Sequence, residues 1–165
     1  MANEYSFDVV SEFDRQELVN ALDQATREFR TRYDLKDSGS EVTLEGDRLV
    51  LRSNSEFTLD SARTVLVEKA VRRGLSPKVF DFGKVEEGTK GSARQTITLR
   101  HGLSQEHAKE FAKLIRDRFP KLRTQIQGDA LRVFGRSKDE LQGAIRALKE
   151  REAVLPFPLQ FTNFR

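Results

Sequence analysis

The sequence of 165 residues predicts an α+β protein in which one βαββαβ unit occurs twice. A strand–turn–strand segment at 42–51 is matched, 82 positions later, by a segment of the same layout at 124–133, and both turns contain Gly-Asp. Each segment stands between two stretches with helical periodicity. Four strands and two helices in this order are typical of the ferredoxin-like arrangement, an antiparallel sheet with both helices on one face.

The first repeat begins with a strand at 5–13, where apolar and polar residues alternate. Asp14 opens a capping box, so a helix is expected to start there, and its apolar residues recur at helical spacing. Thr58 is the predicted cap of the second helix, which stops at Gly74. A strand at 78–85 completes this repeat.

The second repeat follows the same order. An alternating strand at 94–100 precedes a helix that Ser104 caps and Pro120 ends. Ser137 opens another capping box before the last helix. The final strand is predicted at 159–165. All four helices carry a single apolar stripe, so they are expected to cover one face of each sheet.

One choice of strand pairing is open. The strand at 78–85 can close the first sheet, or it can form a hairpin with the strand at 94–100, because only a short turn separates the two. In the second case the C-terminal strand closes the first sheet beside the strand at 5–13. We favour this exchange of the last strands. The predicted domains are then 1–75 plus 155–165, and 76–154.

Composition excludes several classes of protein. The absence of Cys rules out disulfides and thiolate metal sites, and the two histidines lack metal-ligand spacing. No apolar run approaches the ~20 residues that span a bilayer, and the first residues do not resemble a signal peptide. We therefore expect a cytoplasmic protein with no metal, no cofactor and no membrane association.

Catalytic motifs are equally scarce. No Gly-x-Ser-x-Gly elbow is present. The segment at 83–90 approaches a phosphate-binding loop, but it has Thr-Lys where Lys-Ser or Lys-Thr is required, and it joins two strands. We interpret it as a turn. The sequence therefore predicts a protein that is not an enzyme.

The net charge of +3 is unevenly distributed. Residues 91–150 hold 13 Lys and Arg against 7 Asp and Glu, a net +6, whereas the other residues hold 16 against 19, a net −3. Such a surplus indicates a basic surface for an anion such as a nucleotide or nucleic acid. Ordinary solvated surface is the simpler interpretation.

Alternation in the second repeat separates a helix-facing side from an open side. Along 122–127 it puts Arg123, Gln125 and Gln127 together, opposite the aliphatic residues. Cations, amides and one ring on an open face suit phosphates, base edges and base stacking, although a solvated sheet face has a similar composition. A lone ring differs from the aromatic run of an RNA-recognition motif. The predicted open face comprises Thr96, Thr98, Arg100, Gln125, Gln127, Arg132 and Phe134.

Aromatic residues cluster elsewhere. Phe161 and Phe164 lie in the C-terminal segment with Phe157, and Phe80 and Phe82 lie in the middle of the chain. One interpretation is that these rings pack at the joints of the domains. The other is that they form a stacking site for a ligand between the domains, where ligands prefer to bind.

Several segments resemble signatures of the YajQ family, and the match runs almost from end to end. The resemblance is carried by Ser-Phe-Asp-Val-Val-Ser-Glu at 6–12, Thr-Arg-Tyr-Asp at 31–34, Asp-Phe-Gly at 81–83, Gln-Ile-Gln-Gly-Asp at 125–129 and Pro-Leu-Gln-Phe-Thr-Asn-Phe-Arg at 158–165. The chain departs from the family pattern at Leu35, where Phe is frequent, and at 135–138, where a more basic stretch is usual.

The resemblance implies a small bacterial cytosolic protein of two ferredoxin-like domains that binds nucleotides and has no established catalytic activity. Some members of the family are regarded as cyclic di-GMP receptors that act on transcription through partner proteins, and RNA binding has also been proposed. We therefore expect a non-enzymatic regulator that binds cyclic di-GMP or a mononucleotide and acts on a transcription regulator protein. The alternatives are an RNA-binding module and a protein-interaction scaffold without nucleotide affinity.

A ligand with two guanines and two phosphates requires stacking rings, arginines and polar side chains. The candidate nucleotide-binding residues are Arg32, Phe82, Arg100, Gln125, Gln127, Arg132, Phe134, Gln160, Phe161, Asn163, Phe164 and Arg165.

Overall fold

The computed structural model describes residues 3–165 and confirms the predicted fold class. Within these residues four helices accompany two four-stranded antiparallel sheets. No helix in this part of the chain is long and apolar enough to cross a bilayer. The strands are β1 Tyr5–Val10, β2 Glu41–Glu45, β3 Arg48–Ser53, β4 Phe80–Glu87, β5 Ala93–Leu99, β6 Arg123–Gln127, β7 Ala130–Gly135 and β8 Gln160–Thr162. The helices are α1 Arg15–Thr31, α2 Glu56–Arg72, α3 Gln105–Arg118 and α4 Lys138–Glu152.

The chain forms two compact units. The terminal unit holds residues up to Glu12 together with His101–Arg165, and its strand order is β6-β7-β1-β8. The inserted unit is Phe13–Arg100, with strand order β2-β3-β5-β4. Neighbouring strands are antiparallel throughout both sheets. The inserted unit thus lies in the chain between β1 and the rest of the terminal unit.

These units differ from the predicted domains 1–75 plus 155–165 and 76–154. β4 forms a hairpin with β5, and β8 lies beside β1. However, β1 pairs with β7, which belongs to the β6–β7 hairpin, whereas β5 pairs with β3, which belongs to the β2–β3 hairpin. Each unit therefore combines the helices and hairpin of one repeat with the first strand of the other.

A buried polar side chain explains why β5 belongs to the inserted unit. Gln95 of β5 is only 4% exposed. Its Oε1 accepts a hydrogen bond of 2.7 Å from Arg63 Nε on α2, and its Nε2 donates one of 2.7 Å to the Gly83 carbonyl oxygen on β4. Because a buried amide without partners is costly, this strand fits beside α2 and β4.

The positive charge surplus of residues 91–150 does not coincide with either of the observed units. The terminal unit has 13 Lys and Arg against 11 Asp and Glu, a net +2, and the inserted unit has 16 against 15, a net +1. Residues 1–12, which include β1, add three carboxylates to the terminal unit. Any basic surface must therefore be local rather than a property of half the chain.

Three of the four predicted helix caps are present. The side chains of Asp14, Ser104 and Ser137 each accept a hydrogen bond from a backbone N–H in the first turn of a helix. The fourth cap prediction was wrong, because Ser55 caps α2 and the Thr58 N–H donates to it at 3.1 Å. Each of the two units then buries the apolar stripes of its helices against one face of its own sheet.

Gly83 lies at a bulge in β4, where the register with β5 shifts between Phe82 and Val85. A Cβ atom at this position would lie 2.7 Å from the backbone carbonyl oxygen of Thr96. Since a backbone atom of the neighbouring strand cannot swing away like the end of a side chain, the two strands approach this closely only with glycine.

We expect Gly83→Ala to lower the free energy of unfolding of the inserted unit by about 1–3 kcal/mol, as overpacking does. Lys84→Ala is the matched control, because Lys84 is the adjacent exposed residue of β4. Urea unfolding of both variants would measure the difference. Equal stability of the Gly83 and Lys84 variants would show that the bulge tolerates a side chain.

Candidate nucleotide-binding face

The terminal sheet has one face that points away from α3 and α4. Phe7, Val9, Leu131 and Val133 are buried on the helix side, so the alternate residues of the same strands lie on the opposite side. We call this opposite side the polar face. Its cross-strand rows are Gln125–Arg132–Asp8–Thr162, Arg123–Phe134–Ser6, Gln127–Ala130 and Val10–Gln160.

Five of the predicted site residues lie in these cross-strand rows. Four of them come from the second hairpin, and their register pairs Gln125 with Arg132 directly. Thr96, Thr98 and Arg100, which were predicted on the same face, belong to the inserted unit. The five are Gln125, Gln127, Arg132, Phe134 and Gln160.

The centre of the polar face is an ion pair between neighbouring strands. Arg132 Nε donates to Asp8 Oδ1 at 2.8 Å and Arg132 Nη2 donates to Asp8 Oδ2 at 3.2 Å. Asn163 Nδ2 donates to Asp8 Oδ2 at 2.9 Å. The two charged side chains are 23% and 14% exposed. This two-point geometry is the strong form of a charge-assisted hydrogen bond.

The pair shifts the pKa of both groups. The hydrogen bond from Arg132 lowers the pKa of the Asp8 carboxyl, against burial, and the bond from Asn163 adds to the effect. The same contact raises the pKa of Arg132. Arg132 is thus a cation whose charge is already balanced, and its Nη1 takes no part in the pair with Asp8.

A cation and a ring lie together on the β6 side of the polar face. The Arg123 guanidinium stands over the Phe134 ring, 5.5 Å from its centroid, and also forms an ion pair with Glu4. Two grooves share Arg123 as a wall. The first, of about 850 Å³, is lined by Glu4, Lys121, Arg123, Arg136, Ser137 and Glu140. The second, of about 410 Å³, is lined by Arg116, Leu122, Arg123, Thr124, Gln125 and Phe134.

The sequence-based candidates omitted the cations of these grooves. Alternation along β6 had placed Arg123 on the same side as Gln125, so the sequence did contain a signal that could have identified Arg123 as a site residue. Lys121 and Arg136 lie just outside β6 and β7. Strand periodicity therefore gives no indication of where their side chains point.

The C-terminal candidates have structural partners. Gln160 Oε1 accepts a hydrogen bond of 2.7 Å from the Glu12 N–H. Phe161 lies on the helix side, where its ring packs against Phe7 at 6.1 Å between centroids, so its place on a stacking surface is not supported. The Arg165 main chain exchanges hydrogen bonds of 3.1 and 3.0 Å with Ser6, and Phe164 is 60% exposed.

Three candidates lie in the inserted unit, outside the polar face. Arg32 forms ion pairs with Glu28 and Asp34 at the end of α1. Arg100 donates to the carbonyl oxygens of Lys78 and Phe80. The remaining candidate, Phe82, lies on the edge strand β4, with its ring 6.1 Å from that of Phe80.

The fold and the polar face define an α+β protein of two ferredoxin-like units, one of which carries a face with a ring, amides and cations. The profile of a family described as "Nucleotide-binding protein YajQ-like" matches residues 5–165. The chain belongs to this family, as its sequence signatures indicated.

Named relatives align with this chain over the full length of both proteins. A "Nucleotide-binding protein" of Chloroflexus aggregans is 56% identical over 165 residues. A "Nucleotide-binding protein" of Trichodesmium erythraeum is 53% identical over 165 residues. "Nucleotide-binding protein Synpcc7942_0865" of Synechococcus elongatus is 54% identical over the same length.

Proposed function

We propose that this chain is a non-enzymatic nucleotide-binding protein that binds cyclic di-GMP on the polar face of its terminal unit and acts through partner proteins. Relatives that match the whole chain are named for nucleotide binding, which supports the ligand class. The observation that carries the placement is the row of Arg123 and Phe134 beside Gln125 and Arg132.

The chemistry of these side chains suits a guanine nucleotide. A base stacks on Phe134, and the amides of Gln125 and Gln127 can donate to and accept from its edges. Arg132 contributes through Nη1, because its other edge is held by Asp8. Of the other sequence-based candidates, Arg32 and Arg100 are engaged within the inserted unit, so we leave them out of the proposed site.

Isothermal titration calorimetry with cyclic di-GMP, and with GTP for comparison, tests the proposal. We expect a Kd of about 1 µM or tighter that changes little between low and physiological salt, because a dinucleotide contacts few phosphates. A Kd for RNA that weakens steeply with salt would favour the RNA-binding alternative. No heat with either nucleotide would overturn the proposal and favour a protein-interaction scaffold.

Phe134→Ala is the sharpest variant for the placement. We expect it to raise the Kd for cyclic di-GMP about 10-fold or more, since stacking of one base on a ring is worth about 1–3 kcal/mol. Phe57→Ala is the matched control, because Phe57 is 78% exposed on α2 of the inserted unit. Arg132→Ala is less informative because it also leaves Asp8 without its main partner. Equal affinities for the Phe134 and Phe57 variants would remove the polar face as the site.

A further inference from the structure

We infer that the groove lined by Lys121, Arg123 and Arg136 holds the phosphate groups of the nucleotide, while the base lies on Phe134. This inference rests on the proposed function and assigns the phosphate-binding side chains of that site. We call it the phosphate groove. Its volume of about 850 Å³ lies in the range of small-molecule sites.

The first argument is the pairing of the cations. Some arginines elsewhere on the surface are held by carboxylates, as Arg72 is by Glu68 and Arg94 is by Glu86. Lys121 and Arg136, in contrast, form no ion pair with any residue between 3 and 165. Two unpaired cations on one concave wall attract an anion, because their fields add.

The second argument is the close approach that builds the groove. Gly135 is the last residue of β7, and a Cβ atom there would lie 2.3 Å from Leu122 Cδ2. Only glycine lets the Leu122 side chain pack this closely against the strand. The residues that flank these two, Lys121 and Arg136, line the same groove.

The third argument is that Arg123 connects the phosphate groove to a base-stacking surface. Its guanidinium is 5.5 Å from the centroid of the Phe134 ring, and Arg123 lines both grooves. A nucleotide joins a planar base to phosphate through one sugar. Phosphates near Lys121 and a base near Phe134 therefore match the layout of one bound molecule.

Two carboxylates reduce the positive charge with which the phosphate groove can attract an anion. Glu4 pairs with Arg123, and Glu140 lines the same wall, so three cations face two carboxylates. A phosphate that binds Arg123 must compete with Glu4. We therefore expect Glu4→Gln to tighten nucleotide binding, whereas loss of a cation weakens it.

The test compares the full-length protein with the double variant Lys121→Ala/Arg136→Ala in calorimetric titrations with cyclic di-GMP. We expect the double variant to raise the Kd at least ~10-fold, because charge-assisted hydrogen bonds to phosphate are strong. Lys109→Ala is the matched control. It removes an exposed cation of α3 two turns from Arg116, about 10 Å along the helix axis, and should leave the Kd unchanged.

The outcomes separate the two proposals. If the wild-type protein binds cyclic di-GMP and the double variant binds it equally well, the assignment of the phosphates to this groove is wrong and the proposed function stands. If the wild-type protein does not bind cyclic di-GMP, the proposed function fails. A titration with inorganic pyrophosphate then tests by itself whether the phosphate groove binds phosphate groups. Amide shifts at 121–123 and 135–137 in an ¹⁵N-labelled sample titrated with pyrophosphate would support it, and their absence would overturn it.

Discussion

Replacing Phe7 with Ala is expected to lower the free energy of unfolding of the terminal unit by about 3–5 kcal/mol. Phe7 is 1% exposed and lies on β1, between β7 and β8. Its ring lies 6.1 Å from both Phe161 and Phe164, between ring centroids. Truncation therefore removes a large apolar contact and leaves a cavity that the paired strands around it cannot close.

Urea unfolding followed by circular dichroism measures this loss. Phe57→Ala is a control of the same chemistry, because its exposed ring should change stability by only about 0.5 kcal/mol. Phe111→Ala is a second comparison, since Phe111 on α3 is equally buried in the same core. A loss below about 1 kcal/mol for Phe7→Ala would show that β1 does not belong to the centre of this core.

Local signals made much of the fold predictable from the sequence. The caps at Asp14, Ser104 and Ser137 depend on contacts three residues apart, and the apolar stripes on contacts three or four apart. The two Gly-Asp turns likewise fix hairpins whose strands are adjacent in sequence. Such features can be read without knowledge of the rest of the chain.

The grouping of strands could not be read in this way. β1 and β5 are alternating strands of similar length, and each offers an apolar side to either hairpin. The structure pairs β1 with β7, which is more than a hundred residues away in sequence. The Gln95 amide forms hydrogen bonds with Arg63 and Gly83, and these bonds fit β5 to the inserted unit. A single Gln in a strand sequence, however, does not indicate which residues it will bond.

The candidate site shows the same division. Alternation correctly placed Gln125, Gln127, Arg132 and Phe134 on one face. It could not show that Asp8 neutralises Arg132, because the two residues are 124 positions apart. For Phe161 the residues of a three-residue strand gave too short a pattern to decide which side faces the helices.

Expressed alone, residues 13–100 are expected to fold. This segment contains α1, α2 and every strand of the sheet β2-β3-β5-β4. Its core runs from Leu18 to Leu99 and lies wholly within the segment. Its length also exceeds the ~40 residues below which small domains usually need disulfides, metals or oligomerisation. The fragment should give a helical circular dichroism spectrum and one cooperative unfolding transition.

A fragment of residues 1–75 is the matched comparison, because it contains β1, both helices and the first hairpin but lacks β4 and β5. β3 then loses its partner β5, and β1 lacks β7 and β8, so both strands keep unpaired edges and the core loses Ile97 and Leu99. We expect this fragment to unfold without cooperativity or to aggregate. A cooperative transition in residues 1–75 together with none in residues 13–100 would contradict the observed grouping, because it would mean that β1, and not β5, completes the first sheet.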